Sequence, residues 1–162
     1  MKKLLIFPLF LLIFLNGCSI EKNGEDLSGF ILRTNEKNES YNLTENGFLY
    51  SEKERSYSKF FYVNGNELFL NLKADEKSRL SEMNIVTDND FYSDETTLKF
   101  TTDLLYSFIN NENTSEKILA ESDFYNVLKE KTTDTEKTEI DNIKLLVDVT
   151  EIGCVITVYK DI

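Results

Sequence analysis

Residues 57–72 read YSKFFYVNGNELFLNL, and this stretch is the strongest indication of the fold. Both central positions of a type I′ turn require a positive φ, which the dipeptide Asn64-Gly65 tolerates. The sequence therefore predicts an antiparallel hairpin around this dipeptide. In that hairpin one face of the sheet carries four cross-strand pairs, namely Val63 with Asn66, Phe61 with Leu68, Lys59 with Leu70 and Tyr57 with Leu72.

A second Asn-Gly pair, Asn46-Gly47, lies between residues 41–45 and 48–52, and the same reasoning predicts a second hairpin there. We expect Gly29 to Thr34 to form a lead strand. Together these segments predict a five-stranded antiparallel meander over about residues 29–72.

The aromatic run Phe60-Phe61-Tyr62 makes the two faces of this sheet differ. Adjacent side chains on a strand point to opposite faces, so Phe60, paired with Phe69, and Tyr62, paired with Glu67, lie opposite to Phe61. We expect helices of the same chain to cover the face that carries Phe60. The alternative is an exposed face that binds a partner.

The middle of the chain has helical periodicity. Asp94-Glu95 precedes an amphipathic stripe made of Leu98, Leu104, Leu105, Phe108 and Ile109. Asn113 and Glu116 resemble a capping pair for a second helix, which Ser122-Asp123 divides in two because both residues favour caps. The apolar residues of this second segment are Ile118, Leu119, Tyr125 and Leu128. Ala74 to Met83 is predicted to be a further short helix.

The C-terminal part predicts another hairpin. Thr132 to Thr138 contains no apolar residue and is predicted to be an exposed loop. Gly153 suits a type I turn that ends in a left-handed bulge residue. Apolar residues alternate on both sides of this turn, at Ile143, Leu145, Val147 and Val149 and then at Cys154, Ile156 and Val158. The predicted fold class is α+β, with meander and hairpin in one sheet and two or three helices on one face.

The first eighteen residues have the pattern of a targeting segment. Met1-Lys2-Lys3 is followed by an apolar run of 12 residues from Leu4 to Leu15, shorter than the ~20 residues of a membrane-spanning helix. The run ends in Leu15-Asn16-Gly17-Cys18, which resembles the lipobox of bacterial lipoproteins. The segment and the composition are also similar to those of small outer-surface lipoproteins of spirochaetes. An ordinary secretory signal and an uncleaved anchor are the alternatives.

The lipobox resemblance implies a signal peptide over residues 1–17 and a lipid on Cys18, which becomes the new N-terminus. Two or three acyl chains anchor durably, because each buried methylene contributes ~0.8 kcal/mol. We then expect a tether over residues 18–27 and one domain over residues 28–162. Ser19 occupies the position where Asp would favour retention at the inner membrane, so we expect an extracytoplasmic protein at the outer membrane or cell surface.

The chain is acidic. Without residues 1–17, which contain Lys2 and Lys3 but no acidic residue, the formal net charge of −11 becomes −13. This charge disfavours nucleic acid as a partner and is compatible with a cationic protein or peptide. Solubility through self-repulsion is the simpler explanation.

The sequence contains little that indicates catalysis. It has no histidine, which removes the usual base for nucleophilic catalysis. Lipidation of Cys18 leaves Cys154 without a disulfide partner, and its apolar strand predicts a buried, unreactive thiol. The acids of Asp88-Asn89-Asp90 and Asp94-Glu95 lack the glycine and distal glutamate of a calcium loop, so we predict no metal and no cofactor.

These features favour a non-enzymatic envelope lipoprotein whose domain binds a host or envelope protein. An immunity or inhibitor lipoprotein that neutralises a secreted toxin or enzyme is the first alternative. A small hydrolase that uses carboxylates alone is the second, and it requires a pocket with two carboxyl groups about 5 to 10 Å apart.

Overall fold

A computed structural model describes residues 25–88, 90–130 and 135–161 of the chain. The helices are α1 (Leu27–Lys37), α2 (Glu95–Ile109), α3 (Glu112–Glu121) and α4 (Phe124–Glu130). The strands are β1 (Leu49–Ser51), β2 (Ser56–Val63), β3 (Asn66–Ala74), β4 (Leu80–Thr87), β5 (Thr135–Ile140), β6 (Ile143–Val149) and β7 (Cys154–Lys160). Single 3₁₀ turns lie at Glu39–Tyr41, Glu45–Gly47 and Phe91–Ser93.

All strands belong to one antiparallel sheet with the order β1-β2-β3-β4-β7-β6-β5. The meander β1 to β4 joins the C-terminal strands where β4 pairs with β7. The helices pack on one face, so the α+β class and the single sheet are confirmed, although the described residues contain four helices rather than two or three.

The core lies between that face and the helices. The sheet contributes fully buried aliphatic side chains from its central strands, namely Leu68, Leu70, Leu72, Met83, Ile85, Val147, Ile156 and Val158. The helices contribute Phe30, Leu104, Leu105, Phe108, Ile118 and Phe124, which are buried to the same degree. Since burial of one such side chain contributes roughly 1.5–3 kcal/mol, this interface dominates the stability of the fold.

The β2–β3 hairpin forms as predicted. Asn64 has a φ of 50° and Gly65 a φ of 82°, the left-handed values that a type I′ turn needs. The four predicted pairs on the core face and the pairs Phe60 with Phe69 and Tyr62 with Glu67 all occur in the observed register.

The C-terminal hairpin is also confirmed, since Val149 pairs with Cys154 and the alternating apolar residues of both strands are buried. The predicted role of Gly153 is wrong, because Gly65 is the one glycine with a positive φ in the described part of the chain. A Cβ on Gly153 would lie 2.5 Å from the carbonyl oxygen of Thr87. Glycine is therefore required here by close backbone approach.

The lead strand predicted for residues 29–34 is wrong, because these residues belong to helix α1. Asp26 caps this helix by accepting a hydrogen bond from the Gly29 N–H at 2.9 Å. Its buried residues follow the helical spacing i, i+3, i+4 and i+7, at Leu27, Phe30, Ile31 and Thr34. Glu25 to Leu27, predicted to belong to the tether, are part of the fold.

No hairpin forms at Asn46-Gly47. Residues 45–47 form a 3₁₀ turn, and β1 instead reaches β2 through a turn over residues 52–55. Gly47 packs beneath Lys59, whose ammonium group donates a hydrogen bond to the Gly47 carbonyl at 3.3 Å. The same ammonium lies over the rings of Phe48 and Phe61, at 5.6 and 5.4 Å from their centroids.

The short helix predicted over Ala74 to Met83 is wrong, since strand β4 begins at Leu80. A bulge opposite residues 73 and 74 leaves Ser81 without a residue that pairs with it across the strands, because Lys73 pairs with Glu82 while Ala74 pairs with Leu80. The buried residues Leu80 and Met83 are consequently three positions apart, a spacing that resembles a helix.

The predicted loop over residues 132–138 is wrong from Thr135 onward, where edge strand β5 begins, and residues 131–134 lie outside the described ranges. Helix α2 is confirmed, with Asp94 as its N-cap. The next helix begins earlier than predicted, since Asn111 rather than Asn113 provides the cap. The division at Ser122-Asp123 is confirmed, and Asp123 has a φ of 48°.

We predict that Gly153→Ala lowers the free energy of unfolding by roughly 1–3 kcal/mol, because the added methyl group would meet the Thr87 backbone. Urea unfolding monitored by circular dichroism measures this change. Gly47→Ala is the control, because the one close contact of its Cβ would be with the movable end of the Lys59 side chain. An equal loss in both variants would contradict the assignment.

Candidate interaction surface

The predicted lipidation site, Cys18, lies outside the described residues, which begin at Glu25. No helix within the described part of the chain is both long and apolar enough to cross a bilayer.

Glu25 forms hydrogen bonds with three other parts of the fold, at the start of β4, the end of α2 and the end of β7. Its carbonyl oxygen accepts a hydrogen bond from the Leu80 N–H at 2.7 Å, at the start of β4. Its carboxylate accepts from Asn110 Nδ2 at 3.1 Å and from the ammonium group of Lys160, at the end of β7. Lys160 Nζ also lies 4.9 Å from the centroid of the Phe108 ring. These groups come together at one end of the strands, and we call this end of the sheet the Glu25 end.

The ionisation of this pair follows from its surroundings. Burial opposes the charged form of Glu25, but hydrogen bonds from Lys160 and Asn110 outweigh burial and lower the pKa of Glu25. Burial lowers the pKa of Lys160, against the opposing effect of Glu25. Glu25 is thus a poor general acid, because that role requires a raised pKa.

A cleft of about 460 Å³ adjoins this pair and is a candidate position for a carboxylate-based reaction. Its walls include the acidic residues Glu25, Asp141 and Asp161. Glu25 is held by Lys160, and Asp141 accepts a hydrogen bond from the Thr114 hydroxyl at 3.1 Å. Two of the three carboxylates therefore hold structural elements together.

The other chemically noteworthy residues have structural partners. Cys154 is buried, and burial raises the pKa of its thiol to about 12, so the thiol is protonated at neutral pH. The Asp88 carboxylate accepts a hydrogen bond from the Phe91 N–H at 2.9 Å, and Asp94 accepts from the Thr96 N–H at 2.7 Å. No group of three metal-binding side chains occurs among the residues that the structure describes.

Among the described residues, none covers the face of the sheet opposite the helices, and we call it the open face. The exposed fraction is 56% for Phe60 and 74% for Tyr62, against 9% for Phe61 on the core face. The expectation that helices cover Phe60 is therefore wrong, and the alternative of an exposed face describes the fold. Since α1 to α4 all pack on the core face, no described element lies over the open face.

The register arranges the open face in rows that cross the strands. One row consists of four successive partners, Phe60, Phe69, Val86 and Val155, on β2, β3, β4 and β7. We call it the apolar row. The Phe60 and Phe69 rings contact each other with centroids 4.8 Å apart. The row lies toward the end of the sheet that carries the Asn64-Gly65 turn, which we call the Gly65 end.

The rows nearer the Glu25 end are mainly polar, although Leu49 and Tyr159 also expose apolar surface there. Asn84 accepts a hydrogen bond from the Thr157 hydroxyl at 2.9 Å and donates one to Glu82 at 2.7 Å. Glu82 also accepts from Lys73 at 2.8 Å. These polar side chains are therefore satisfied within the chain, whereas the apolar row and Tyr62 form a continuous aromatic and aliphatic surface.

The sequence predicted Phe60, Phe69 and Tyr62 for this face but missed Val86 and Val155. Val155 alternates with the buried residues Cys154 and Ile156, so its outward position could have been recognised. The outward position of Val86 could not be recognised, because the bulge beside Leu80 gives the start of β4 the residue spacing of a helix.

Comparison of the chain with protein-family models, with curated proteins and with solved structures found no match.

We predict that Glu25→Gln lowers the free energy of unfolding at pH 7 by roughly 1–3 kcal/mol, because Lys160 stays buried without its charged partner. The loss is also pH-dependent. The pKa of Glu25 is lower in the folded protein than in the unfolded chain, where it is about 4.5. The contribution of ionised Glu25 to the free energy of unfolding is therefore complete above about pH 4.5 and disappears as the pH falls through the pKa of the folded protein.

Urea unfolding between pH 3 and 7 measures this effect, and the variant is expected to show the shallower decline. Glu139→Gln, which breaks an exposed ion pair of 3.6 Å with Lys144, is the control and is expected to cost less than about 0.5 kcal/mol. Equal losses at pH 7 would rule out a special role for Glu25.

We predict opposite outcomes for two neighbouring phenylalanines. Phe61→Ser is expected to cost about 3–5 kcal/mol because it removes a buried ring from the core. Phe60→Ser is expected to cost less than about 1 kcal/mol, because its ring is already half exposed. Thermal unfolding of the two variants measures the difference, and similar losses would show that the open face is covered in solution.

Proposed function

We propose that this protein is a lipid-anchored envelope lipoprotein whose domain binds a protein partner through the open face and does not catalyse a reaction. The single observation that supports binding is the uncovered apolar row with Tyr62 beside it. Aromatic side chains dominate binding energy in protein interfaces, and a contiguous exposed apolar patch on a folded domain marks an interaction site.

The proposed anchor and the position of Glu25 keep this surface near the membrane. Between Cys18 and Glu25 the chain can extend at most about 25 Å. Val86, six residues along β4 from Leu80, lies about 20 Å from the Glu25 end. The partner would therefore meet the protein close to the bilayer, with the apolar row held away from the end that the tether enters.

We predict that Cys18→Ala abolishes membrane attachment, because the residue that would carry the acyl chains is absent. Fractionation of cells and metabolic labelling with a palmitate analogue measure this. We expect either release of the protein from membranes or accumulation of an unprocessed precursor. A mature protein that remains in the membrane fraction without the label would refute the anchor.

The binding role is tested by site-specific photo-cross-linking in intact cells. A photoreactive phenylalanine analogue at position 62 is expected to form a covalent adduct with another protein. The same analogue at position 125, an exposed aromatic position on helix α4, is the control and is expected to form none. Protease shaving of the same cells establishes whether the domain faces outward. Absence of any adduct at position 62 would refute binding through the open face.

A second candidate is the immunity or inhibitor lipoprotein. It is favoured by the acidic loops at the Gly65 end, since residues 88–94 contain Asp88, Asp90 and Asp94, and Glu151 lies in the β6–β7 turn. Both candidates use the same surface, and the identity of the protein that cross-links at position 62 distinguishes them.

A further inference from the structure

The continuous apolar surface of the open face lies in the half nearer the Gly65 end. Toward the Glu25 end, Asn84, Thr157, Glu82 and Lys73 bond to one another. Toward the Gly65 end, the apolar row is followed by Tyr62, whose hydroxyl donates to Glu67 at 3.1 Å. Desolvation therefore costs less at the Gly65 end, where the side chains are mainly apolar.

Ile152 is a further exposed apolar residue at this end. It lies in the turn between β6 and β7 and is 89% exposed, the highest value among the large apolar residues that the structure describes. The turn stands beside the end of β4, because Gly153 closely approaches the Thr87 carbonyl.

The charge around this surface is mainly acidic, and the nearest cation on the open face, Lys137, lies one row away on edge strand β5. Among the described residues, three loops at the Gly65 end, residues 64–65, 88–94 and 150–153, together contain four acidic residues but no lysine or arginine. On the open face itself, Glu67 pairs with Tyr62, and Asp148 pairs with Val155 at the end of the apolar row. An apolar strip with an acidic border thus occupies the half of the sheet that lies away from the tether.

This charge argues against two of the possible occupants. A second copy of the chain would bring two acidic borders together, since the net charge is −11 over the whole sequence, and like charges in an interface oppose association. An anionic membrane surface would be repelled in the same way.

We propose that the partner is a cationic polypeptide segment whose apolar side chains pack on the apolar row and Ile152 while its lysine or arginine residues face Glu67, Asp148 and the acidic loops. This inference rests on the proposed binding function and adds the chemistry of the partner. In this proposal the apolar contacts account for most of the affinity. The acidic border raises the association rate of cationic chains and disfavours the binding of acidic chains.

The test uses the lipoprotein in phosphatidylcholine nanodiscs, with empty nanodiscs as the blank, and three labelled 12-residue peptides. One alternates lysine and leucine, one alternates glutamate and leucine, and one alternates lysine and serine. Fluorescence anisotropy at two salt concentrations measures binding. We expect the lysine–leucine peptide to bind at least about tenfold more tightly than either of the others, and more weakly at high salt.

Two double variants locate this binding. Phe60→Ser with Tyr62→Ser removes apolar surface, and Glu67→Lys with Asp148→Lys reverses the border. Each pair is expected to weaken the lysine–leucine peptide by about tenfold or more. The matched controls are Tyr125→Ser on α4 and Glu139→Lys on edge strand β5, and both are expected to leave binding within about twofold. Circular dichroism confirms that each variant is folded.

Several results would overturn the inference. Equal binding of the glutamate–leucine peptide would remove the charge requirement, and equal weakening by the control variants would show non-specific attraction to an acidic protein. A cross-link at position 62 to a second copy of the chain, or binding of the unlipidated protein to phosphatidylglycerol vesicles, would identify a different occupant. If a different protein cross-links at position 62 but no peptide binds, the proposed function survives and the cationic partner is refuted. Absence of any cross-link refutes both.

Discussion

The register of the β2–β3 hairpin is the constraint on which the rest of the molecule depends. The left-handed residues Asn64 and Gly65 place Phe61 opposite Leu68 and Phe60 opposite Phe69. Because side chains alternate between the faces of a strand, a slip of one residue would exchange the buried and exposed sets completely. The pairings of β3 with β4 and of β4 with β7 carry the same alternation across the sheet.

The consequence is a sheet with two faces of different character. Helices α1 to α4 bury the aliphatic core face, while the open face keeps exposed aromatic rings together with a mainly polar half whose polar side chains bond to one another. A folded monomer gains nothing by exposing Tyr62 and half of Phe60, so a partner is the physical explanation that we favour. Glu25 links the start of the described residues to the sheet, since it bonds to Leu80 at the start of β4, to Asn110 and to Lys160.

Predictions agreed with the structure where the sequence pattern lies within a few consecutive residues. The turn at Asn64-Gly65, the alternation from Ile143 to Val149 and the stripe of helix α2 were predictable because each is complete within a few consecutive residues. Asn46-Gly47 carried the same turn dipeptide, yet the segment forms a 3₁₀ turn with Lys59 above it. A dipeptide permits a turn, but its neighbours in space decide whether the flanking segments pair. Helix α1 was predictable in principle, because Leu27, Phe30, Ile31 and Thr34 form a helical stripe.

The sequence alone determined the α+β class, the pairing register of the hairpin and the acidic charge, and it indicated the lipid anchor through Leu15-Asn16-Gly17-Cys18. These properties depend on composition and on contacts between residues close in the chain. Only the tertiary structure decided which face of the sheet the helices cover, that β4 lies at its centre, and that Val86 and Val155 continue the row begun by Phe60. Those outcomes depend on pairings between residues as far apart in the chain as β4 and β7, and no local pattern specifies which distant strand a given strand will meet.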